Sequence, residues 1–309
     1  MSLKPDSLIS GFTFVSWSNC MRKFTATFLL IQLLAFCAIA QTTNRPSELD
    51  LTFRLKTLRA NSLQAENDKE IASYNQEFRN EVKKAIELEL DFENDSIPSF
   101  GHVKSPDKQF EIYTWNILKE FTEYEYYAFI KFKKGEVIEL IDQSKMLLSP
   151  EFKITKTDNW FGALYYEIIP VKNKEKERYY VLLGWDGNTG SSLKKVIDVL
   201  YFNKRTESWQ MGKKIFGPPF RDITRFFLEY SSEVNASLKY HEKEDRIVFD
   251  HLVPLNKGLE GVFEFYVPDL SFDGFEFRND YWYFIQNIDV RGNQGMENYT
   301  VPETNIRLE

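Results

Sequence analysis

Cysteine is almost absent from this chain. Its 309 residues contain only Cys20 and Cys37, and both precede residue 41. Residues 41–309 therefore carry no thiol. This excludes disulfide bonds, thiol catalysis and cysteine-ligated metal sites from that part of the chain.

Histidine and catalytic motifs are scarce as well. The three histidines are His102, His241 and His251, and none has a second histidine at metal-ligand spacing. The chain has no Gly-x-Ser-x-Gly nucleophile motif, phosphate-binding loop or dinucleotide-binding fingerprint. From these patterns we predict no catalytic residue, no metal site and no cofactor.

One apolar run stands out, near the start of the chain. A basic stretch at 21–23 precedes apolar residues 28–36, and Ala38-Ile39-Ala40 follows them. This order is typical of a secretory signal peptide, with small residues where the peptidase cuts. We therefore predict that residues 1–40, an upstream extension and signal peptide, are removed by cleavage after Ala40.

Two other interpretations of the apolar run stay open. A transmembrane anchor would need about 20 apolar residues, and this run is shorter. A lipoprotein would be attached through Cys37, but Phe36 is bulky for the position before a lipidated cysteine. With a cleaved signal peptide, the protein would have no transmembrane segment and would reside in the periplasm or on the cell surface.

The charge is acidic. The chain carries a formal net charge of −7, and residues 1–40 hold three basic residues and one acid, so residues 41–309 carry −9. A nucleic-acid-binding protein needs a basic face, so we predict no nucleic-acid partner. The lysine-rich stretch 171–178 interleaves acids and bases and is typical of a solvated hairpin loop.

Helical periodicity is confined to the region between Ser47 and about Leu90. Apolar residues recur there at steps of three and four, and Asn67-x-x-Glu70 has the pattern of a helix start. We predict two amphipathic helices. Their apolar stripes are more typical of packing within the protein than of binding a partner.

After about residue 108 the apolar period changes to two, which predicts strands. We expect them at 110–115, 124–132, 137–141, 160–171, 178–185, 194–202, 209–216, 223–230, 236–240, 246–252, 261–267 and 281–288. No long helical segment intervenes, which favours a mainly β fold of antiparallel meanders, either propeller-like or a sandwich, behind an N-terminal pair of helices. The predicted domains are a helical segment at 41–100, a β body at 101–292 and a tail at 293–309.

Two short stretches could hold a ligand. Trp185, Asp186 and Asn188 belong to a glycine-rich turn that resembles the start of a calcium loop but lacks its remaining carboxylates. Asp250 and His251 are adjacent, although neighbouring strand residues point to opposite faces and so do not pair directly. We name these five as candidate ligand-binding residues.

A glycosidase would need two carboxylates facing each other across a cleft. Six acids are candidates for that role: Asp186, Asp198, Asp250, Glu264, Asp269 and Asp273. Tryptophans such as Trp115, Trp160 and Trp209 could form sugar-binding platforms, although tryptophan is more often part of a core.

Several stretches are similar to a group of uncharacterised exported β-rich proteins of Bacteroidetes-type bacteria. They are 105–116, 182–188, 194–200, 246–252 and 273–277, and the likeness runs from about residue 100 to residue 292. The resemblance implies a Gram-negative host and a periplasmic or cell-surface location. It implies no activity and no functional residues.

The leading hypothesis is an exported envelope protein that binds a glycan, a peptide or an envelope protein without catalysing a reaction. One alternative is a glycoside hydrolase that uses two of the acids. The other is a structural or assembly factor that docks through its N-terminal helices.

Overall fold

A computed structural model describes residues 48–90, 97–119, 123–174 and 177–289. The predicted signal peptide and C-terminal tail lie outside the described residues. From Thr52 onward, the described residues belong to one compact unit, which contains every described strand and nearly all of the helical residues.

Two helices open the described part of the chain, as the sequence predicts. Helix α1 spans Glu48–Gln64 and helix α2 spans Asp68–Glu87. The Asn67 side chain accepts a hydrogen bond from the backbone N–H of Glu70 at 3.0 Å, so it caps the first turn of α2. The pattern Asn67-x-x-Glu70 therefore marked this helix start correctly.

Antiparallel strands make up most of the remaining described residues, which confirms the predicted mainly β fold. The strands are β1 (Phe100–Lys104), β2 (Phe110–Lys119), β3 (Glu123–Phe132), β4 (Val137–Ile141), β5 (Thr155–Lys156), β6 (Leu164–Lys172), β7 (Arg178–Asp186), β8 (Ser192–Asn203), β9 (Ser208–Met211), β10 (Phe226–Ser231), β11 (Leu238–His241), β12 (Arg246–Pro254), β13 (Tyr266–Arg278) and β14 (Tyr281–Ile285).

The strands form three sheets. The first sheet is the meander β1-β2-β3-β4, and the third sheet is the meander β11-β12-β13-β14. The central sheet has the order β5-β9-β8-β7-β6, with β10 also paired to β8. Consecutive strands mostly pair with each other, so loops of successive hairpins collect at the ends of the sheets.

The central sheet is buried on both faces. In β7, residues 179–184 are all buried, and alternate side chains enter two different apolar cores. Leu182 belongs to the same core as Ile112 and Ile130 of the first sheet, whereas Val181 belongs to the same core as Phe249 of the third. The three sheets therefore stack as layers, which is a sandwich-type arrangement.

Helix α2 covers the outer face of the first sheet. Phe78 makes edge-to-face contacts with Trp115 at 5.4 Å and with Phe100 at 5.8 Å. The indole N–H of Trp115 donates to Asn75 Oδ1 at 2.8 Å. Burying such an aromatic ring stabilises the fold by roughly 1.5–3 kcal/mol, and the hydrogen bond satisfies the buried indole.

Helix α1 is held to the β body by Arg59. This almost fully buried side chain donates to the carbonyl oxygens of Pro98 at 3.0 Å, Ser99 at 3.2 Å and Asn116 at 2.8 Å. Burial lowers the pKa of Arg59 to about 10. The carbonyl contacts offset part of the cost of removing the guanidinium from water.

Some strand predictions were wrong, and β13 shows why. The sequence predicted a strand at 261–267, but a short 3-10 turn occupies Phe263–Phe265 and the strand runs from Tyr266 to Arg278. Pro268, Asp269 and Gly274 resemble turn residues in the sequence. A bulge opposite His251 accommodates this segment, and Gly274 lies where a Cβ would meet the Ile247 carbonyl oxygen at 2.3 Å.

Other strand boundaries also differ from the predictions. Strands β1 and β5 were not predicted, and residues 160–163 and 212–216 are not in strands. Strand β1 contains few apolar residues and forms by pairing with β2, which local periodicity does not reveal. No helix in the described ranges has the length and apolarity needed to cross a membrane.

Candidate functional site

The predicted residue Asp186 ends β7 and is bonded within the protein. Its side chain is buried, and Oδ1 accepts hydrogen bonds from the Tyr126 hydroxyl at 2.7 Å and the Asn188 backbone N–H at 2.9 Å. The Gly187 N–H donates to the same Tyr126 hydroxyl at 2.7 Å. Burial raises the pKa of the Asp186 carboxyl. These contacts organise the β7–β8 turn.

The side chain of Asn188 is also occupied. Its Nδ2 donates to Ser192 Oγ at 2.7 Å and to Glu229 Oε1 at 2.9 Å, while its Oδ1 accepts from Lys194 Nζ at 2.8 Å. Neighbouring Trp185 packs edge-to-face on Tyr124 at 5.7 Å. Calcium binding would require these oxygens to leave their present partners. Across the four described ranges, no group of three or more His, Cys, Asp or Glu side chains is placed to hold a metal ion.

The side chains of Asp250 and His251 have different hydrogen-bond partners. Asp250 Oδ2 accepts from the Ser237 N–H at 2.6 Å, whereas His251 Nδ1 lies 2.7 Å from Oδ2 of Asp273. A buried carboxylate that holds one imidazole nitrogen fixes the ring orientation. A serine nucleophile would have to donate to the other ring nitrogen. Ser271 is in the β13 bulge opposite His251, and its hydroxyl instead donates to Asp269 Oδ1 at 2.6 Å.

Asp198 forms an ion pair inside the protein. Its Oδ2 lies 3.0 Å from Arg225 Nε, and both side chains are completely buried. The Tyr165 hydroxyl donates to Asp198 Oδ2 at 3.0 Å and accepts from the Trp160 indole N–H at 2.9 Å. Burial raises the pKa of Tyr165 well above its usual value, so this hydroxyl keeps its proton. The network has no solvent access and joins the central sheet to its neighbouring loops.

A groove of about 890 Å³ lies at one end of the β body. It is lined by residues of the β3–β4 loop at 133–136, by Glu177 at the end of the β6–β7 loop at 173–177, and by residues of the β8–β9 loop at 204–207. Residues 175 and 176 of the second loop lie outside the described part. The groove has the size range of small-ligand sites and is open to solvent.

Aromatic side chains form the floor of the groove. Trp209 stacks on Phe132 with ring centroids 4.4 Å apart, and Phe202 approaches Trp209 at 5.5 Å in an edge-to-face arrangement. Phe202 is 45% exposed, a large fraction for a phenylalanine. Phe132 also contacts Phe110 in the first core, so this floor is continuous with the packed interior.

Charged side chains form the walls of the groove. The described lining contains six cations and two carboxylates: Lys133, Lys134, Arg178, Lys204, Arg205 and Lys213, with Glu136 and Glu177. Lys213 lies 4.7 Å above the Tyr201 ring and 3.7 Å from Glu177. Arg178 pairs with Asp107 at 3.1 Å. The Tyr180 hydroxyl donates to Asp107 at 3.0 Å, and burial raises the pKa of Tyr180 to about 12, so this hydroxyl is neutral.

None of the five predicted ligand-binding residues lines the groove. Arg178, in the groove lining, begins β7, and Asp186 ends it. Eight steps along a strand cover about 26 Å, so Asp186 lies far from the groove. The sequence placed the basic groove residues at 133–134 and 204–205 in turns and assigned them no function, whereas it named Trp209 as a possible sugar-binding platform. The available signal was an adjacent basic pair close behind an aromatic residue: one pair directly follows Phe132, and the other begins one residue beyond Phe202. Whether the five predicted residues contact a ligand stays a prediction.

The groove is therefore the candidate site, and its chemistry is that of an open aromatic floor between basic loops. Its lining offers ring faces for stacking and cations for charge-assisted hydrogen bonds. No family model, no curated protein and no solved structure matches this chain.

Proposed function

We propose that this chain is an exported, non-enzymatic binding protein that holds a glycan in the groove. The observation that carries the proposal is the exposed Phe202 beside Trp209 on the floor of an open groove. Sugar rings present C–H faces that pack on aromatic rings, while their hydroxyls need polar partners at the rim. The groove provides both.

Export is part of the proposal and is supported by the sequence features of residues 21–40. The destination would be the periplasm or the cell surface, in agreement with the resemblance to exported proteins of Bacteroidetes-type bacteria. Sequencing the amino terminus of protein recovered from an expressing Gram-negative host tests this. We expect Gln41 to be the first residue. Recovery of a cytosolic protein that still begins at Met1 or Met21 would contradict export.

The geometry supports the alternative of a glycoside hydrolase less well than it supports a binding protein. Its six candidate acids all lie outside the groove lining. Asp186 and Asp198 are buried in the networks described above, and Asp250 accepts a backbone N–H. A glycosidase needs two carboxylates that face one substrate bond.

One observation argues against the alternative of an assembly factor that docks through its helices. The apolar stripe of α2, including Phe78, Val82 and Ile86, is buried. Phe78 packs on the first sheet, so the apolar stripe that would have to bind a partner is already buried within the protein.

A glycan array with matched phenylalanine variants tests the proposed function. We expect the wild-type protein to bind at least one class of glycan. Phe202→Ala should lose that binding, because the substitution removes the exposed aromatic ring of the groove floor. The control is Phe152→Ala, which removes a 54% exposed ring outside the groove and should bind normally. Absence of glycan binding, or equal loss in both variants, would refute the assignment.

A further inference from the structure

We infer that the glycan bound by the groove is an anionic polysaccharide, one that carries carboxylate or sulfate groups. This inference rests on the proposed function and adds the charge of the ligand. It follows from which cations of the groove walls already have partners and which do not.

Two of the six cations are occupied by carboxylates. Arg178 pairs with Asp107 and Lys213 with Glu177. The other four are Lys133, Lys134, Lys204 and Arg205, all exposed and all in hairpin loops. Within the described ranges these four form no ion pair, so they remain available to an anion.

The four available cations lie on two separate loops. Lys133 and Lys134 follow Phe132 in the β3–β4 loop, and Lys204 and Arg205 belong to the β8–β9 loop. The rings of Phe132 and Trp209 stack directly, so these two loops are joined by the aromatic floor. An adjacent basic pair on each loop suits a ligand with several charges along its length better than a single small anion.

The net charge of the molecule makes this placement informative. In a chain with a formal charge of −7, four cations that are in no described ion pair line a single groove. Placing like charges close together costs free energy unless a counter-charge is bound. The arrangement is therefore complementary to a polyanion.

Nucleic acid is also a polyanion and also stacks on aromatic rings. The acidic net charge opposes its approach at long range, and the cations cover one groove instead of a continuous basic face. A polysaccharide can also pack the C–H faces of its sugar rings on the aromatic floor. The observations favour the polysaccharide.

The test compares four probes on the expressed protein: dextran, dextran sulfate, polygalacturonate and single-stranded oligothymidylate. We expect dextran sulfate or polygalacturonate to bind and dextran to bind weakly. Comparing the two anionic probes shows whether the groove prefers sulfate or carboxylate groups. Lys204→Ser combined with Arg205→Ser should weaken binding about tenfold through the loss of charge-assisted contacts. Lys133→Ser combined with Lys134→Ser should act similarly.

The matched control removes the same charge elsewhere. Lys239→Ser combined with Lys243→Ser changes two exposed lysines of the β11–β12 hairpin and should leave binding unchanged. Added salt should weaken wild-type binding more than that of either groove variant.

Three outcomes would overturn the inference. If neutral glycans bind the groove and the lysine and arginine variants have no effect, the ligand is uncharged and the proposed function survives alone. If oligothymidylate binds more tightly than both anionic polysaccharides, the partner is nucleic acid. If neither the probes nor an array glycan binds, the inference and the proposed function both fail.

Discussion

Single side chains in this protein show how the same residue type serves different purposes. Asp186 is a buried hydrogen-bond acceptor in a turn, Asp198 is one half of a buried ion pair, and Asp273 orients His251. The sequence identified all three as acids with possible roles. It could not assign those roles, because each depends on a partner between 22 and 60 residues away.

Asp186 gives a prediction about pH. Burial raises its pKa in the folded protein above the ordinary value of 3.8, so the folded state resists ionisation more than the unfolded state does. The stability it contributes is therefore full below pH 3.8 and is lost as the pH rises through the folded pKa. Asp186→Asn keeps an acceptor and removes the ionisation. We expect its free energy of unfolding to rise relative to wild type between acidic and neutral pH.

Urea unfolding at several pH values measures this difference. Asp186→Ala is the control, because it removes the acceptor for the Tyr126 hydroxyl and should cost about 1–3 kcal/mol. If wild type instead gains stability over Asp186→Asn as the pH rises, the buried carboxylate is favoured by its surroundings and our account of this turn is wrong.

At the scale of the element, the helices and most strands could be predicted because their periodicity is local. The cap at Asn67 and the β-branched and aromatic residues of β2 and β3 are examples. The missed strands depend on pairing with another strand: β1 forms along β2, and β13 contains turn-forming residues within a bulge opposite β12. Periodicity cannot reveal either feature, because the stabilising partner is in another segment.

The contact between α2 and the first sheet gives a prediction at this scale. Phe78→Ala should leave a cavity beside Trp115 and lower the free energy of unfolding by about 3–5 kcal/mol. The matched control is Phe53→Ala in α1, where the ring is 71% exposed and the expected change is within about 0.5 kcal/mol. Equal urea midpoints for the two variants would show that α2 does not pack on this sheet.

At the scale of the whole molecule, the groove arises from the order of the hairpins. Three loops that are distant in the sequence meet at one end of the stacked sheets, while the β7–β8 turn lies at the opposite end of β7. The sequence predicted the hairpins and the mainly β body. It could not predict which loops share an end, since that depends on how the three sheets stack.

The central claim is that this groove is the binding surface. Hydrogen–deuterium exchange of the backbone amides, with and without a glycan selected on the array, tests it most directly. The account predicts slower exchange in the loops at 133–136 and 204–207, and unchanged exchange at the turn 187–191 and around His251. Protection at the turn or at His251, with no change in the groove loops, would contradict the claim and move the site to the residues that the sequence first suggested.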